Sequence, residues 1–167
     1  MREAMKLVTF AMVLLVNGVM VKSSQDVMKS MTKNFLKAYE ACAKEYTLPE
    51  STANELINFW KEDFSTTNRN VGCAILCLTS KLSLLDPEGK LHHGKAEDFA
   101  KQHGADGDTA KKLVEILHTC EKNEPVIEDH CTMALGIAMC FKKEMHNLKW
   151  APDSELLFDE LVADMQG

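Results

Sequence analysis

The chain has 167 residues, of which 25 are acidic, 19 are basic and six are cysteine. Residues 1–23 hold three of the basic residues and one of the acidic ones, so residues 24–167 carry a net charge of −8. A net acidic chain without a local basic stripe repels phosphate backbones, which argues against nucleic acid as a partner. Residues 24–167 suffice for one domain with its own core, and no repeat, low-complexity tract or linker divides them.

The first 23 residues have the order of a secretory signal peptide. Arg2 and Lys6 provide a positive start, residues 7–20 are mostly apolar, and small residues before Ser24 offer a cleavage site. A transmembrane anchor is the alternative, but an apolar run of about 14 residues is shorter than the roughly 20 that span a bilayer. We therefore expect residues 1–23 to be removed and residues 24–167 to form a secreted domain without a membrane helix.

Helical periodicity follows through almost all of residues 24–167, and no stretch alternates with the period of a strand. The predicted fold class is therefore all-α, with about six to seven helices. Residues 70–80 carry no charge, and a helix that is apolar on every side is buried on every side, so we expect it at the centre. Asp108 is expected to cap the helix that it begins. The predicted helices cover residues 26–45, 50–62, 70–80, 95–103, 108–121 and about 128–145, and helical spacing returns in residues 153–167.

All six cysteines follow the predicted signal peptide. An even number in a secreted chain predicts three disulfides rather than free thiols or a zinc site, since neither C-x-x-C nor zinc-finger histidine spacing is present. Cys131 and Cys140 are separated by about 13 Å along one predicted helix, more than the ~7 Å that a disulfide spans. Cys73 and Cys77 share one helix face and are expected to bond separate neighbours. Excluding these two pairs leaves ten of the fifteen possible pairings.

The cysteine spacing, C-x30-C-x3-C-x42-C-x10-C-x8-C, is similar to the six-cysteine signature of insect odorant-binding proteins. Shorter motifs resemble the lepidopteran pheromone-binding branch, and the general odorant-binding branch fits residues 86–94 less well. These motifs are NFWKE at 58–62, GCAI at 72–75, LDPEG at 85–89, LHHG at 91–94 and LKWAP at 148–152. The resemblance implies a compact helical bundle around one closed apolar cavity. It also implies the interlocked disulfides Cys42–Cys77, Cys73–Cys131 and Cys120–Cys140, which belong to the ten pairings left open.

The same resemblance implies a carrier that binds and solubilises long-chain unsaturated alcohols, acetates or aldehydes. A buried alkyl chain gains roughly 0.8 kcal/mol per CH₂, so apolar volume and one polar contact are sufficient. Thr79 stands where the family often has a serine that contacts the polar end of the ligand. Alternatively, its hydroxyl bonds its own backbone and the aromatic side chains only fill the core. The other family residues that line the cavity correspond to Phe35, Phe59, Trp60, Ile75 and Phe141.

The resemblance further implies a protein of antennal sensillum lymph that meets the membrane or a receptor of the olfactory neuron. A monomer or weak homodimer is expected, because no sustained heptad predicts a coiled coil. No cofactor or metal is implied.

Asp129 and His130 suggest a phospholipase-like pair, but no glycine-rich calcium loop, G-x-S-x-G or H-E-x-x-H accompanies them, which argues against a secreted hydrolase. A general odorant or lipid carrier without pheromone specificity is the remaining alternative.

Two features predict release of the ligand at low pH. His92, His93 and His118 correspond to family histidines near a flap over the cavity, and imidazole gains charge near pH 6.5; solvated surface histidines are the alternative. The acidic tail, residues 153–167, includes Glu155 and Asp164, lacks basic residues, and has apolar residues at helical steps. Neutralising its carboxylates would let the tail fold into the cavity and expel the ligand. A frayed acidic terminus is the alternative interpretation of this segment.

Overall fold

The computed structural model describes residues 22–166, with side chains described as far as Glu160 and at Ala163. The predicted signal peptide up to residue 21, and the side chain of Asp164, lie outside the described residues. Between residues 22 and 166 no strand is present, and Leu85 and Leu91 form an isolated antiparallel bridge. The all-α prediction is confirmed. The helices are α1 Ser24–Lys37, α2 Tyr39–Glu45, α3 Ser51–Asn58, α4 Arg69–Lys81, α5 His93–Gln102, α6 Gly107–Asn123, α7 His130–Asn147 and α8 Ser154–Gln166.

The predicted helix over residues 26–45 consists of two helices, which explains why the described residues form eight. At Ala38 the amide N–H donates to the carbonyl of Phe35 at 3.3 Å, a bond of the tighter 3₁₀ type that interrupts the α-helical ladder. The helix predicted over residues 50–62 ends four residues early, at Asn58, for a similar reason. The amides of Phe59, Lys61 and Phe64 bond carbonyls three residues back, and the Phe59 ring is buried at the start of these turns.

Helix α4, in which residues 70–80 carry no charge, lies at the centre, as predicted, and packs most extensively against α7. The two helices approach so closely that a Cβ on Gly72 would lie 1.9 Å from the carbonyl oxygen of Cys131. Only glycine fits at this contact without moving one backbone away from the other. The buried residues of α4 are Val71, Gly72, Cys73, Ala74, Cys77 and Leu78.

Three disulfides connect the helices in the expected pattern, which confirms the pairing. Cys42–Cys77 joins α2 to α4, Cys73–Cys131 joins α4 to α7, and Cys120–Cys140 joins α6 to α7. Helix α7 is thereby bonded to both α4 and α6. Loss of one native disulfide from a small secreted domain typically costs about 2–5 kcal/mol of stability. Helices α1, α3, α5 and α8 contain no cysteine and depend on noncovalent contacts.

Side-chain caps determine where the later helices begin. Helix α6 is capped by Asp106, whose Oδ1 accepts from the Thr109 N–H at 2.7 Å, and the prediction that Asp108 is the cap was wrong. Asp108 instead lies in the first turn, where its charge still suits the helix dipole. Asp129 caps α7 and also binds Arg69 at 2.7 Å, a hydrogen bond that lowers the pKa of this carboxyl to about 2.

Within residues 22–166, no helix has both the length and the apolar character needed to cross a bilayer.

Candidate functional site

An apolar cavity of about 230 Å³ lies between helices α1, α3, α4, α5, α6 and α7. Its wall is almost entirely hydrocarbon, and the polar side chains that reach it are Thr32, Thr79, Glu121 and His130. The described side chains of α8 do not contribute to the wall. All six residues predicted to bind ligand line this one cavity: Phe35, Phe59, Trp60, Ile75, Thr79 and Phe141.

Aromatic rings pair edge to face around the cavity. Phe35 meets Phe99 with ring centroids 5.6 Å apart, and Trp60 meets Phe141 at 6.5 Å. These contacts fix the ring planes that a ligand would touch, since edge-to-face pairs are favoured by the ring quadrupoles. Phe99 was not among the residues predicted from the sequence. The signal was its position in a charged helix, where it recurs with Ala96 and Ala100 at helical spacing.

The buried indole of Trp60 has the hydrogen-bond partner that its N–H requires. Trp60 Nε1 donates to Thr32 Oγ1 at 3.0 Å, and the Thr32 hydroxyl donates to the Met28 carbonyl at 2.8 Å. The hydroxyl proton of Thr32 is therefore already donated to the backbone and is not available to a ligand. The Thr79 hydroxyl donates to the carbonyl of Ile75 at 2.7 Å, the backbone bond expected as its alternative role. Thr79 thus both lines the cavity and keeps its proton on its own helix, leaving its oxygen free to accept.

Methionine supplies part of the wall, through Met28, Met31 and Met133. Its thioether is flexible and polarizable, so these side chains can adjust to a ligand. The cavity is smaller than the 300–1,000 Å³ typical of drug-sized sites. A slender apolar molecule, accommodated by methionine movement, suits this volume better than a bulky ring system.

Two of the three predicted pH-sensing histidines lie together beside the cavity wall. The rings of His93, on α5, and His118, on α6, have centroids 4.7 Å apart. His118 Nδ1 lies 3.9 Å from Glu121 Oε2, and Glu121 Oε1 accepts from the Leu91 N–H at 3.2 Å. His92 has a different role, because its Nδ1 accepts from a backbone N–H and caps α5. Glu121, which connects the histidine pair to the cavity, was not predicted from the sequence.

The acidic tail forms α8 and lies outside the cavity, against α1 and α3. Leu157 is 2% exposed and packs into the core. Glu160 binds Lys29 at 2.8 Å and Lys33 at 3.3 Å, and the Lys29 hydrogen bond lowers the pKa of the Glu160 carboxyl. Glu155, a predicted switch residue, is exposed on the first turn. The tail is therefore a docked helix, held by one buried leucine and one acidic residue between two lysines.

Comparison with known proteins assigns this arrangement to a family. Residues 24–144, most of the chain, match the PBP/GOBP family. The chain belongs to this family. It is 46% identical over 160 residues to pheromone-binding protein 2 of Epiphyas postvittana, covering 96% of this chain and 97% of that relative. General odorant-binding protein 2 of Manduca sexta is 35% identical over 137 residues, covering 82% of this chain and 85% of that protein.

A solved structure agrees with the fold. Pheromone binding protein 3 of Epiphyas postvittana is 57% identical in the matched region, which covers 70% of this chain and 99% of that one, with a TM-score of 0.64. The family and its curated members are odorant-binding carriers. The chain is therefore a secreted carrier of small hydrophobic odorants rather than an enzyme. This confirms the prediction of a carrier and the prediction that the protein is not a secreted hydrolase.

Proposed function

We propose that this protein, after removal of residues 1–23, carries a long-chain pheromone-type alcohol, acetate or aldehyde through an extracellular fluid such as sensillum lymph. The observation that supports this most strongly is that one apolar cavity has all six predicted ligand-binding side chains in its wall. At roughly 0.8 kcal/mol per buried CH₂, a long alkyl chain gains enough free energy from such a wall to bind tightly. Delivery to the membrane or a receptor of the olfactory neuron, as a monomer or weak homodimer, is part of the same proposal.

Hydrogen-bonding capacity favours alcohols within this ligand class. The Thr79 hydroxyl already donates to the Ile75 carbonyl, so its oxygen accepts. An ionised Glu121 carboxylate also only accepts. An alcohol can donate to either oxygen, whereas an ester or aldehyde offers only acceptors and finds a donor only in the exposed His130 ring or in a rotated threonine. We therefore rank alcohols above acetates and aldehydes of equal chain length.

The relatives support a pheromone ligand over a general odorant. Identity to the pheromone-binding relative is 46%, against 35% to the general odorant-binding protein of Manduca sexta, with greater coverage of this chain. The alternative, a general odorant carrier, would bind short and aromatic odorants as well as it binds long chains.

Acidification is proposed to release the ligand through the histidine pair first. His93 and His118 face Glu121, so one added proton gains an ion pair, while the second places like charges on rings 4.7 Å apart. The resulting repulsion would separate α5 from α6 at the cavity wall. The tail responds at lower pH. Lys29 and Lys33 hold the pKa of Glu160 below its ordinary 4.5, so this anchor of α8 persists until the solution is more acidic than that.

The test is displacement of a fluorescent apolar probe by matched alcohols, acetates and aldehydes at pH 7 and pH 5. We expect alcohols to displace the probe best at pH 7, and all three classes to bind at least tenfold more weakly at pH 5. Binding that is equal at both pH values would reject pH-dependent release, and no displacement by any long chain would reject the ligand class.

Two variants separate the roles of the histidines and the tail. H118Q should retain binding at pH 5, because one imidazole alone has no like charge beside it. A protein lacking residues 153–167 should still lose ligand between pH 7 and pH 5 if the histidines act first. If this truncation alone abolishes release, the tail is the trigger and the histidine account is wrong.

A further inference from the structure

Three side chains with metal-binding atoms converge where the cavity wall reaches the surface. They come from separate parts of the chain: His93 begins α5, while His118 and Glu121 lie one turn apart on α6. One ligand atom from each lies within 4.8 Å of the other two. The two imidazoles are exposed, and the Glu121 side chain is 24% exposed, so an ion can reach the cluster from solvent.

The geometry requires only small movements to bind an ion. In a tetrahedral site with metal–ligand distances near 2.1 Å, neighbouring ligand atoms lie about 3.4 Å apart. His118 Nδ1 and Glu121 Oε2 are already 3.9 Å apart. The surface position of both rings allows rotation toward a common centre. The other oxygen of Glu121 accepts from the Leu91 N–H, and this bond orients the carboxylate with Oε2 toward the rings.

We propose that His93, His118 and Glu121 bind one Zn²⁺ or Cu²⁺ ion, with water completing the coordination. Imidazole nitrogen is a preferred ligand of both ions, and two histidines with one glutamate form a known zinc ligand set. Each ligand binds in its neutral imidazole or ionised carboxylate form, so the site fills at neutral pH and protons displace the metal on acidification.

A bound ion would fasten the start of α5 to α6. It would also fix the segment before α5, because Glu121 binds the backbone of Leu91. Leu91 and Glu121 both line the cavity, so the metal would hold closed the part of the wall that the charged histidines are proposed to open. The metal site itself does not depend on what the cavity binds.

The test is titration of the untagged protein, with its three disulfides formed, against ZnCl₂ at pH 7 by isothermal calorimetry. We expect one equivalent to bind, and H93Q and H118Q each to weaken binding by roughly tenfold or more. H92N is the matched control, because His92 lies next to the cluster and caps α5, and asparagine can keep that cap. It should bind zinc within about twofold of the unaltered protein. Far-ultraviolet circular dichroism verifies that each variant is folded.

Electron paramagnetic resonance of the Cu²⁺ complex identifies the ligands independently. Two equivalent imidazole nitrogens are expected in the unaltered protein and one in H118Q. Absence of zinc binding at millimolar concentration would overturn the proposal. It would also be overturned if H93Q and H118Q bound zinc as tightly as the unaltered protein, or if H92N alone lost binding. Zinc binding by a protein that fails to bind any apolar probe would leave this site standing and reject the carrier proposal instead.

Discussion

The eight described helices fall into two groups that are held by different forces. Helices α2, α4, α6 and α7 are bonded into one unit by three disulfides. Helices α1, α3, α5 and α8 are joined to that unit only by noncovalent contacts. The titratable groups with a proposed switching role lie at the joints between these groups, as His93 on α5 against His118, and Glu160 on α8 against α1. Disulfides hold the shape of the cavity, and the noncovalent joints are where it can open.

The largest loss of stability is expected from a change at the close contact between α4 and α7 in the disulfide-bonded unit. In G72A the new methyl group would meet the Cys131 carbonyl at 1.9 Å, so the backbones of α4 and α7 must separate. Overpacking of this kind typically costs about 1–3 kcal/mol, and we expect the upper end because the obstacle is backbone. Urea unfolding measures the loss.

G107A is the control for that variant. Gly107 lies in the first turn of α6, and a Cβ there has no neighbour within 4 Å. We expect its stability to stay equal or to rise by up to about 1 kcal/mol, because alanine is the better helix former. Equal losses of unfolding free energy in G72A and G107A would show that the close α4–α7 contact does not require glycine.

Within α4, the side facing the cavity should be distinguishable from the side facing the core. I75A removes hydrocarbon from the cavity wall, while V71A removes it from a fully buried side chain that does not itself line the cavity. Both variants should lose about 1–3 kcal/mol of stability. Probe affinity should fall by roughly three- to tenfold in I75A alone, since lost CH₂ contacts cost about 0.8 kcal/mol each. A V71A variant with the weaker affinity would contradict the assignment of the cavity wall.

The smallest effect on stability is expected from loss of the ion pairs that Glu160 of α8 makes with α1. The Lys29 hydrogen bond lowers the pKa of Glu160 in the docked tail, so the pair stabilises docking above pH 4.5 and ceases to do so as pH falls through the lowered pKa. The Glu160 side chain is 41% exposed, and exposed pairs contribute only about 0–1 kcal/mol.

E160Q should therefore increase hydrogen exchange of α8 by a fewfold at pH 7, and 1 M salt should increase it similarly in the unaltered protein. D159N, altered at an exposed carboxylate in the middle of the same helix, should leave exchange unchanged. If D159N and E160Q behave alike, the lysine contacts do not hold the tail.

The sequence predicts helices and disulfides better than it predicts the packing contacts between helices. Periodicity located α4 and α7, because burial of one face recurs along a single helix. The cysteine pairing and the six cavity residues came from the resemblance, because contacts between helices leave no local pattern. Glu121 was missed, since it is brought to the cavity by a packing angle between helices that no local pattern encodes. Phe99 was missed although its helical spacing with Ala96 and Ala100 was a local signal. The break at Ala38 was missed for a related reason, because the residues there are compatible with a continuous helix and the turn is set by tertiary contacts.

Quenching of tryptophan by a brominated long-chain alcohol tests the central claim, that ligand occupies this cavity, most directly. The chain has two tryptophans. Trp60 lines the cavity and Trp150 does not. W150F leaves Trp60 as the reporter, and W60F leaves Trp150 as the control. The account predicts saturable quenching in W150F at pH 7 and little or none in W60F. Equal quenching in both variants, or quenching of Trp150 alone, would place the ligand elsewhere and contradict the account.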